Sequence, residues 1–170
     1  RYQHQANNPR SIPNNNVWAV HIDRDKQLWI GTLGGGISSF DPNTNQFSHF
    51  TPFGNTGGNS NFVMAIAEDP NSNLWIAKAV GVDFYDKNSG SFTQFVHDEN
   101  SDNSLSNNTA LAIYCDSRGW VWIATREGLN LYWPNEQKFT LFDVSDGLID
   151  NNILTILEDN SGNIWVATPQ

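Results

Sequence analysis

Asp98-x-Asn100-x-Asp102 sets three oxygen-bearing side chains at alternate positions, as a calcium loop begins. The loop is not completed. Asn103 and Thr109 stand where such a loop needs Gly and Glu, and the aligned segment Gln5-x-Asn7-x-Pro9 has no carboxylate. No metal site is expected. His4, His21, His49 and His97 show no ligand spacing, and no Ser–His–Asp set, phosphate loop or acid pair emerges. No catalytic residue and no cofactor are therefore predicted. Binding chemistry is better supplied. Lys78, Arg126 and Glu127 lie in short connections that differ from one another and are candidate ligand contacts, Lys78 and Arg126 for an acidic or hydroxyl-rich ligand. Trp18 would offer a stacking surface. The plain alternatives are a solvated loop charge for the first three and packing for Trp18.

The charge balance narrows the partners. Nine Lys and Arg against eighteen Asp and Glu give a formal net charge of −9, and the basic residues do not cluster. Nucleic acid and anionic membrane surfaces both require a basic face, so neither is expected. No run of apolar residues is long enough to span a bilayer. The lone Cys115 allows no internal disulfide and no cysteine zinc site.

The elements that must position these residues come from a repeat. Leu28-Trp29-Ile30-Gly31-Thr32 returns as Leu74-Trp75-Ile76-Ala77-Lys78, Val121-Trp122-Ile123-Ala124-Thr125 and Ile164-Trp165-Val166-Ala167-Thr168. The tryptophans are 46, 47 and 43 residues apart. A fixed period of this size marks a repeat architecture. A β-favouring run begins twelve residues before each Trp, at Val17, Val63, Ala110 and Ile153. Six residues before each Trp stands Asp23, Asp69, Asp116 or Asp159, followed by turn residues. Such an Asp accepts from backbone N–H groups of its own turn, so the two runs form a hairpin. A third run starts at Gly36, Gly81 and Gly128, and a fourth reads Phe47–Phe50, Phe92–Phe95 and Phe139–Phe142.

Four antiparallel strands per period is the signature of a β-propeller blade, so the predicted class is all-β. One such sheet cannot bury both its faces alone. Trp29, Trp75, Trp122 and Trp165 are expected as blade-to-blade contacts, with Gly31, Ala77, Ala124 and Ala167 leaving room for a neighbour's aromatics. A Trp burying roughly 200 Å2 contributes up to about 5 kcal/mol before its costs. The expected units are a terminal outer strand and loop at 1–16, blades at 17–61, 62–108 and 109–151, and a hairpin at 152–170. Tyr2 to Val17 aligns without a gap on Phe95 to Ala110, which supports the first unit. Three full units are few for a ring. The expectation is a segment of a longer chain, or two copies sharing strands.

Asp146-Gly147-Leu148 with Asn152-Ile153, then Asp159-Asn160-Ser161-Gly162-Asn163-Ile164-Trp165-Val166-Ala167-Thr168, resembles the two-component regulator propeller repeat. Lys26 to Thr32, with Gly36-Ile37 and Phe40-Asp41-Pro42, fits the same pattern. The resemblance covers nearly the whole chain. Lys78 departs from the family's Thr, and turn glycines are missing from the first two units. The family implies a periplasmic sensor region of a bacterial membrane receptor with a histidine kinase or diguanylate cyclase output. It further implies an oligosaccharide or other small ligand, and a receptor dimer or another propeller as partner. The competing readings are a streptogramin-lyase-like enzyme, which needs a catalytic His with acidic partners on one face, and a protein-interaction scaffold.

Overall fold

A computed structural model of the chain describes residues 1–50 and 61–169. The expected connection between the first two blades lies, over residues 51–60, outside the described residues. Three four-stranded antiparallel sheets follow one another in order. The first holds β1 (Val17–Ile22), β2 (Leu28–Thr32), β3 (Gly36–Asp41) and β4 (Gln46–Phe50). The second holds β5 (Val63–Glu68), β6 (Leu74–Lys78), β7 (Val82–Asp86) and β8 (Ser91–Phe95). The third holds β9 (Ala110–Cys115), β10 (Val121–Thr125), β11 (Gly128–Trp133) and β12 (Lys138–Phe142). A two-stranded hairpin of β13 (Thr155–Glu158) and β14 (Ile164–Ala167) comes last. The first strand of each sheet lies against the first strand of the next. These are propeller blades around an inner row of β1, β5, β9 and β13, and the ring is not closed. Among the described residues no helix is long and apolar enough to cross a membrane.

The turns between paired strands follow from the aspartates. Asp116 Oδ1 accepts from the backbone N–H of Arg118 at 3.0 Å and of Trp120 at 2.9 Å. Asp69 and Asp159 repeat both bonds, and Asp23 keeps the second, from Gln27. The other carboxylate oxygen does something the spacing did not suggest. It accepts the indole N–H of the Trp six residues on: Trp29 to Asp23 at 2.8 Å, Trp122 to Asp116 at 2.9 Å, Trp165 to Asp159 at 2.8 Å. One side chain thus fixes both the turn and the Trp rotamer.

Alternation along each strand sends successive side chains to opposite faces. The consequence is that three cores lie between sheets, and a fourth, of Ile12, Ile30, Phe40 and Phe47, joins the first sheet to the segment before it. Trp29, Ala19 and Ile37 of the first sheet pack with Val63, Leu74, Ile76 and Tyr85 of the second. Trp75, Ala77 and Val82 pack with Ile113, Val121, Ile123 and Tyr132 of the third. Trp122, Leu129 and Leu131 pack with Ile153 and Ile156 of the hairpin. The segment before β1 completes the series. Tyr2 meets Phe40 and Phe47 edge-on at 4.8 and 5.5 Å, as its equivalent Phe95 meets Tyr132 and Phe139 at 5.1 and 5.8 Å.

Several expectations need correction. The space beside Gly31 is taken by aliphatic Val63, not by aromatics; a Cβ on Gly31 would collide with the Val63 side chain. Trp165 is 58% exposed, because no sheet among the described residues covers its side of the hairpin. Strand β13 starts at Thr155, two residues later than the repeat suggested. The inner strands are also bulged. Register shifts occur at Trp18, Met64 and Leu111, which are equivalent positions. A bulge inserts one residue against its partner strand and breaks the alternation by which such a strand would be read.

Candidate functional site

A cleft of about 510 Å3 lies at one end of the third sheet, between the connection that enters that sheet and the one that leaves it. Two connections make its walls. One joins β8 to β9, over residues 96–109; the other joins β12 to β13, over residues 143–154. Glu127, in the tight turn from β10 to β11, supplies a further edge.

Asparagines clamp these connections in place. Asn108 accepts the His97 N–H on its side-chain oxygen at 2.8 Å, and its carbonyl accepts the N–H of Gly81. Asn151 does the same for Val144, at 2.9 Å, and for Gly128. Gly81 and Gly128 have φ of +74° and +106°, and a Cβ on either would strike a carbonyl oxygen of the outer strand's end. Glycine is required at both positions. Asparagine and glycine together hold each connection against the turn of the preceding sheet.

On this frame the cleft combines polar and apolar surface. Ser101, Ser104 and Ser106 contribute hydroxyls, Asn151 a carboxamide, and Asp102, Glu127 and Asp143 carboxylates. Phe139 and Leu141 supply apolar wall. The ring nitrogen Nδ1 of His97 lies 2.6 Å from the Leu105 carbonyl oxygen, which can only accept. Nδ1 therefore carries the hydrogen, and Nε2 of the neutral ring is an acceptor. Ser106 is held by Asn130, whose side chain accepts from its N–H at 2.9 Å and donates to its hydroxyl at 2.8 Å. The hydroxyl and backbone N–H of Ser145 both donate to Asp143, at 2.6 and 2.7 Å, and hold its carboxyl below the usual carboxylate range, the hydroxyl bond most of all. Asp143 is thus an acceptor at neutral pH and not a proton donor. Among the described residues no Lys or Arg lines this cleft, and no group of His, Cys, Asp and Glu has metal-binding geometry. The arrangement suits an uncharged ligand rich in hydroxyls, which can donate to carboxylates and exchange hydrogen bonds with serines.

The residues singled out from sequence are scattered by the fold. Glu127 lines the cleft, and Arg126 is exposed beside it without lining it. Lys78 is not a loop charge. It ends β6 at 4% exposure, with Nζ 2.6 Å from Asp83 Oδ2. Burial pushes the Asp83 carboxyl up, against the pull of Lys78. Elsewhere the pair's positions hold Thr32 with Ser38 and Thr125 with Asn130, so the second sheet has exchanged a neutral polar pair for a buried ionic one. Trp18 is 62% exposed at the bulge of β1, in the first sheet and away from the cleft. Asp102 stood out only as part of the failed calcium pattern, and its neighbour Asp98 uses Oδ1 to accept the Asn100 N–H. His97, Ser106, Asp143 and Asn151 gave no signal of their own, except that they sit in or beside connections between outer and inner strands.

Four segments, residues 11–34, 57–77, 104–127 and 147–170, match the family model described as Two component regulator propeller. Among solved structures, the extracellular domain of a putative hybrid two component system from B. thetaiotaomicron is similar, with a TM-score of 0.77 and 22% identity over 96% of this chain and 22% of that one. A catalytically inactive virginiamycin B lyase from Staphylococcus aureus has a TM-score of 0.71 and 13% identity, over 92% of this chain and 50% of the lyase. An auxiliary nutrient binding protein from Bacteroides thetaiotaomicron has a TM-score of 0.67 and 11% identity, over 89% of this chain and 36% of that one. No curated protein sequence matches the chain. At these identities the likeness is one of fold, shared by receptor, lyase and nutrient-binding protein alike.

Proposed function

Because the chain belongs to the two component regulator propeller family, we propose that it is part of a sensor propeller of a bacterial two-component receptor, facing the periplasm. In this reading it is not an enzyme. A ligand seated in the cleft between these two connections shifts the contacts of a receptor dimer, or of a neighbouring propeller, and so sets an intracellular output of histidine kinase type. The ligand class is a neutral oligosaccharide. The observation that carries this is the lining of the cleft, in which carboxylates, serines and one carboxamide stand beside Phe139 and Leu141, with no Lys or Arg among the lining residues described. An anionic ligand would meet three carboxylates and be repelled.

Calorimetric titration with a panel of neutral and uronic-acid oligosaccharides tests this. The expected result is saturable binding of a neutral member, weakened at least tenfold by Asp102→Ala with Glu127→Ala. Binding confined to the acidic members, or untouched by that double substitution, overturns the ligand class. The likeness in fold to a lyase keeps an enzymatic reading alive at His97. Turnover of a bound ligand that is lost in His97→Ala would overturn the non-catalytic reading.

A further inference from the structure

Lys87 solves a problem at one blade interface that is left open at the next. It follows β7 in the second sheet and reaches across to the first, where Nζ is 2.7 Å from Asp23 Oδ2 and 3.0 Å from Asp25 Oδ2. Asp23 is the buried aspartate that also accepts the indole N–H of Trp29. Trp29, Phe50 and Tyr85 form a mutually touching aromatic set at the same interface, with centroids 5.0 to 6.0 Å apart.

The interface between the second and third sheets repeats this set as Trp75, Phe95 and Tyr132, with centroids 5.1 to 5.4 Å apart. The aspartate is repeated as Asp69, 8% exposed. The cation is not. By strand register Tyr85 corresponds to Tyr132, so the position of Lys87 is held by Pro134, which has no side-chain charge and no reach. Asp116 recruits a cation from its own turn, Arg118, at 2.6 Å. Among the described residues no ammonium or guanidinium pairs with Asp69. Its Oδ2 is also poorly supplied with donors. The Trp75 indole N–H makes no hydrogen bond, and the carboxamide of Asn73 lies 3.4 Å away. Beside it is a groove of about 270 Å3 lined by Asp69, Trp75, Phe84, Phe95, Tyr132 and Pro134.

We propose that this groove binds a small primary alkylammonium ion, which places its charge on Asp69, as Lys87 places its own on Asp23 at the preceding interface, and its carbon chain along the aromatic wall. A carboxylate largely removed from water gains most from a cation that can donate hydrogen bonds directly to it. Aromatic faces add attraction for the same charge. A neutral alcohol of equal length has neither advantage, and an anion has both against it. The site is separate from the cleft between the sheets' connections, and its fate does not depend on what that cleft binds.

The test is calorimetric titration of the 170-residue chain with n-butylammonium chloride, against n-butanol and sodium chloride at matched ionic strength. One saturable site for n-butylammonium, and none for n-butanol, is expected. Asp69→Asn should weaken it at least tenfold. Pro134→Lys, at an exposed turn position, should also weaken it at least tenfold by filling the groove from within. Lys87→Ala should open the equivalent groove beside Asp23 and raise the number of sites from one to two. Absence of a saturable site, equal binding of n-butanol, or affinity unchanged in Pro134→Lys overturns the proposal. If Asp69→Asn fails to fold, Pro134→Lys and Lys87→Ala still decide it.

Discussion

At the scale of single residues, the economy of the repeat rests on its aspartates. Each serves the turn with one oxygen and, in three of four units, an indole with the other. For Asp116, burial works to raise the carboxyl pKa, but Trp122, the Trp120 N–H and Arg118 outweigh it and hold the group below its ordinary value. The indole bond can be isolated by experiment. Trp122→Phe and Trp75→Phe remove similar volume from similar places, but only the first removes a bond, since the Trp75 N–H has no partner. Asp116 keeps the bonds from Arg118, so the loss is that of one hydrogen bond, about 0.5–1.5 kcal/mol. Urea denaturation should therefore find Trp122→Phe less stable than Trp75→Phe by about that amount; equal losses would show that the bond contributes nothing. The spacing from Asp to Trp was plain in the sequence, but its second use was not, because nothing in a linear pattern says that an indole folds back on its own turn. Lys78 was misread for a related reason. A lysine at the end of a run reads as a loop charge until Asp83 is set beside Ser38 and Asn130, its equivalents on the neighbouring sheets.

At the scale of elements, the hairpin turns show what a repeat tolerates. The third turn residue before each Trp adopts the left-handed conformation in all four units: Lys26 at φ 67°, Ser72 at 65°, Gly119 at 84° and Gly162 at 81°. A non-glycine residue there costs about 1–2 kcal/mol. Glycine would return part of that gain through its more disordered unfolded chain, roughly 0.5–1 kcal/mol. Ser72→Gly should accordingly stabilise by about 0.5–1 kcal/mol, seen as a higher urea midpoint with an unchanged slope, and a fall in the midpoint would contradict the strain. The missing glycines were legible in the sequence, and the strands were placed to within two residues of their observed ends. The bulges at Trp18, Met64 and Leu111 were not legible. Short apolar runs such as Val63 to Ala67 have no alternation to interrupt, so one extra residue leaves no trace.

At the scale of the whole molecule, the two end faces are exposed and apolar. Val20 and Ile22 of β1 are each 62% exposed, and Leu157 and Trp165 of the last hairpin are 54% and 58% exposed. In the interior, the equivalents of Trp165 pack against the equivalents of Val20, such as Ile66 on Trp29. The faces therefore match each other, and copies of this 170-residue chain should associate head to tail. Sedimentation at rising concentration should show a growing mass, and Trp165→Asp should return it to that of one chain; a single-chain mass throughout would refute the match. The architecture was the most legible level of all, since four tryptophans at a fixed period require stacked sheets. The cleft was the least legible, because its residues come from connections that the repeat does not constrain.

The placing of three cores between successive sheets has a consequence for how the chain folds. No sheet has an interior of its own, so none reaches stability by itself, and order spreads only as each sheet finds its neighbour. The cooperative unit is the seam. A lesion at Gly31 is felt in the second sheet through Val63 as much as in the first, and the border between two repeats in the sequence runs through the middle of what must fold together.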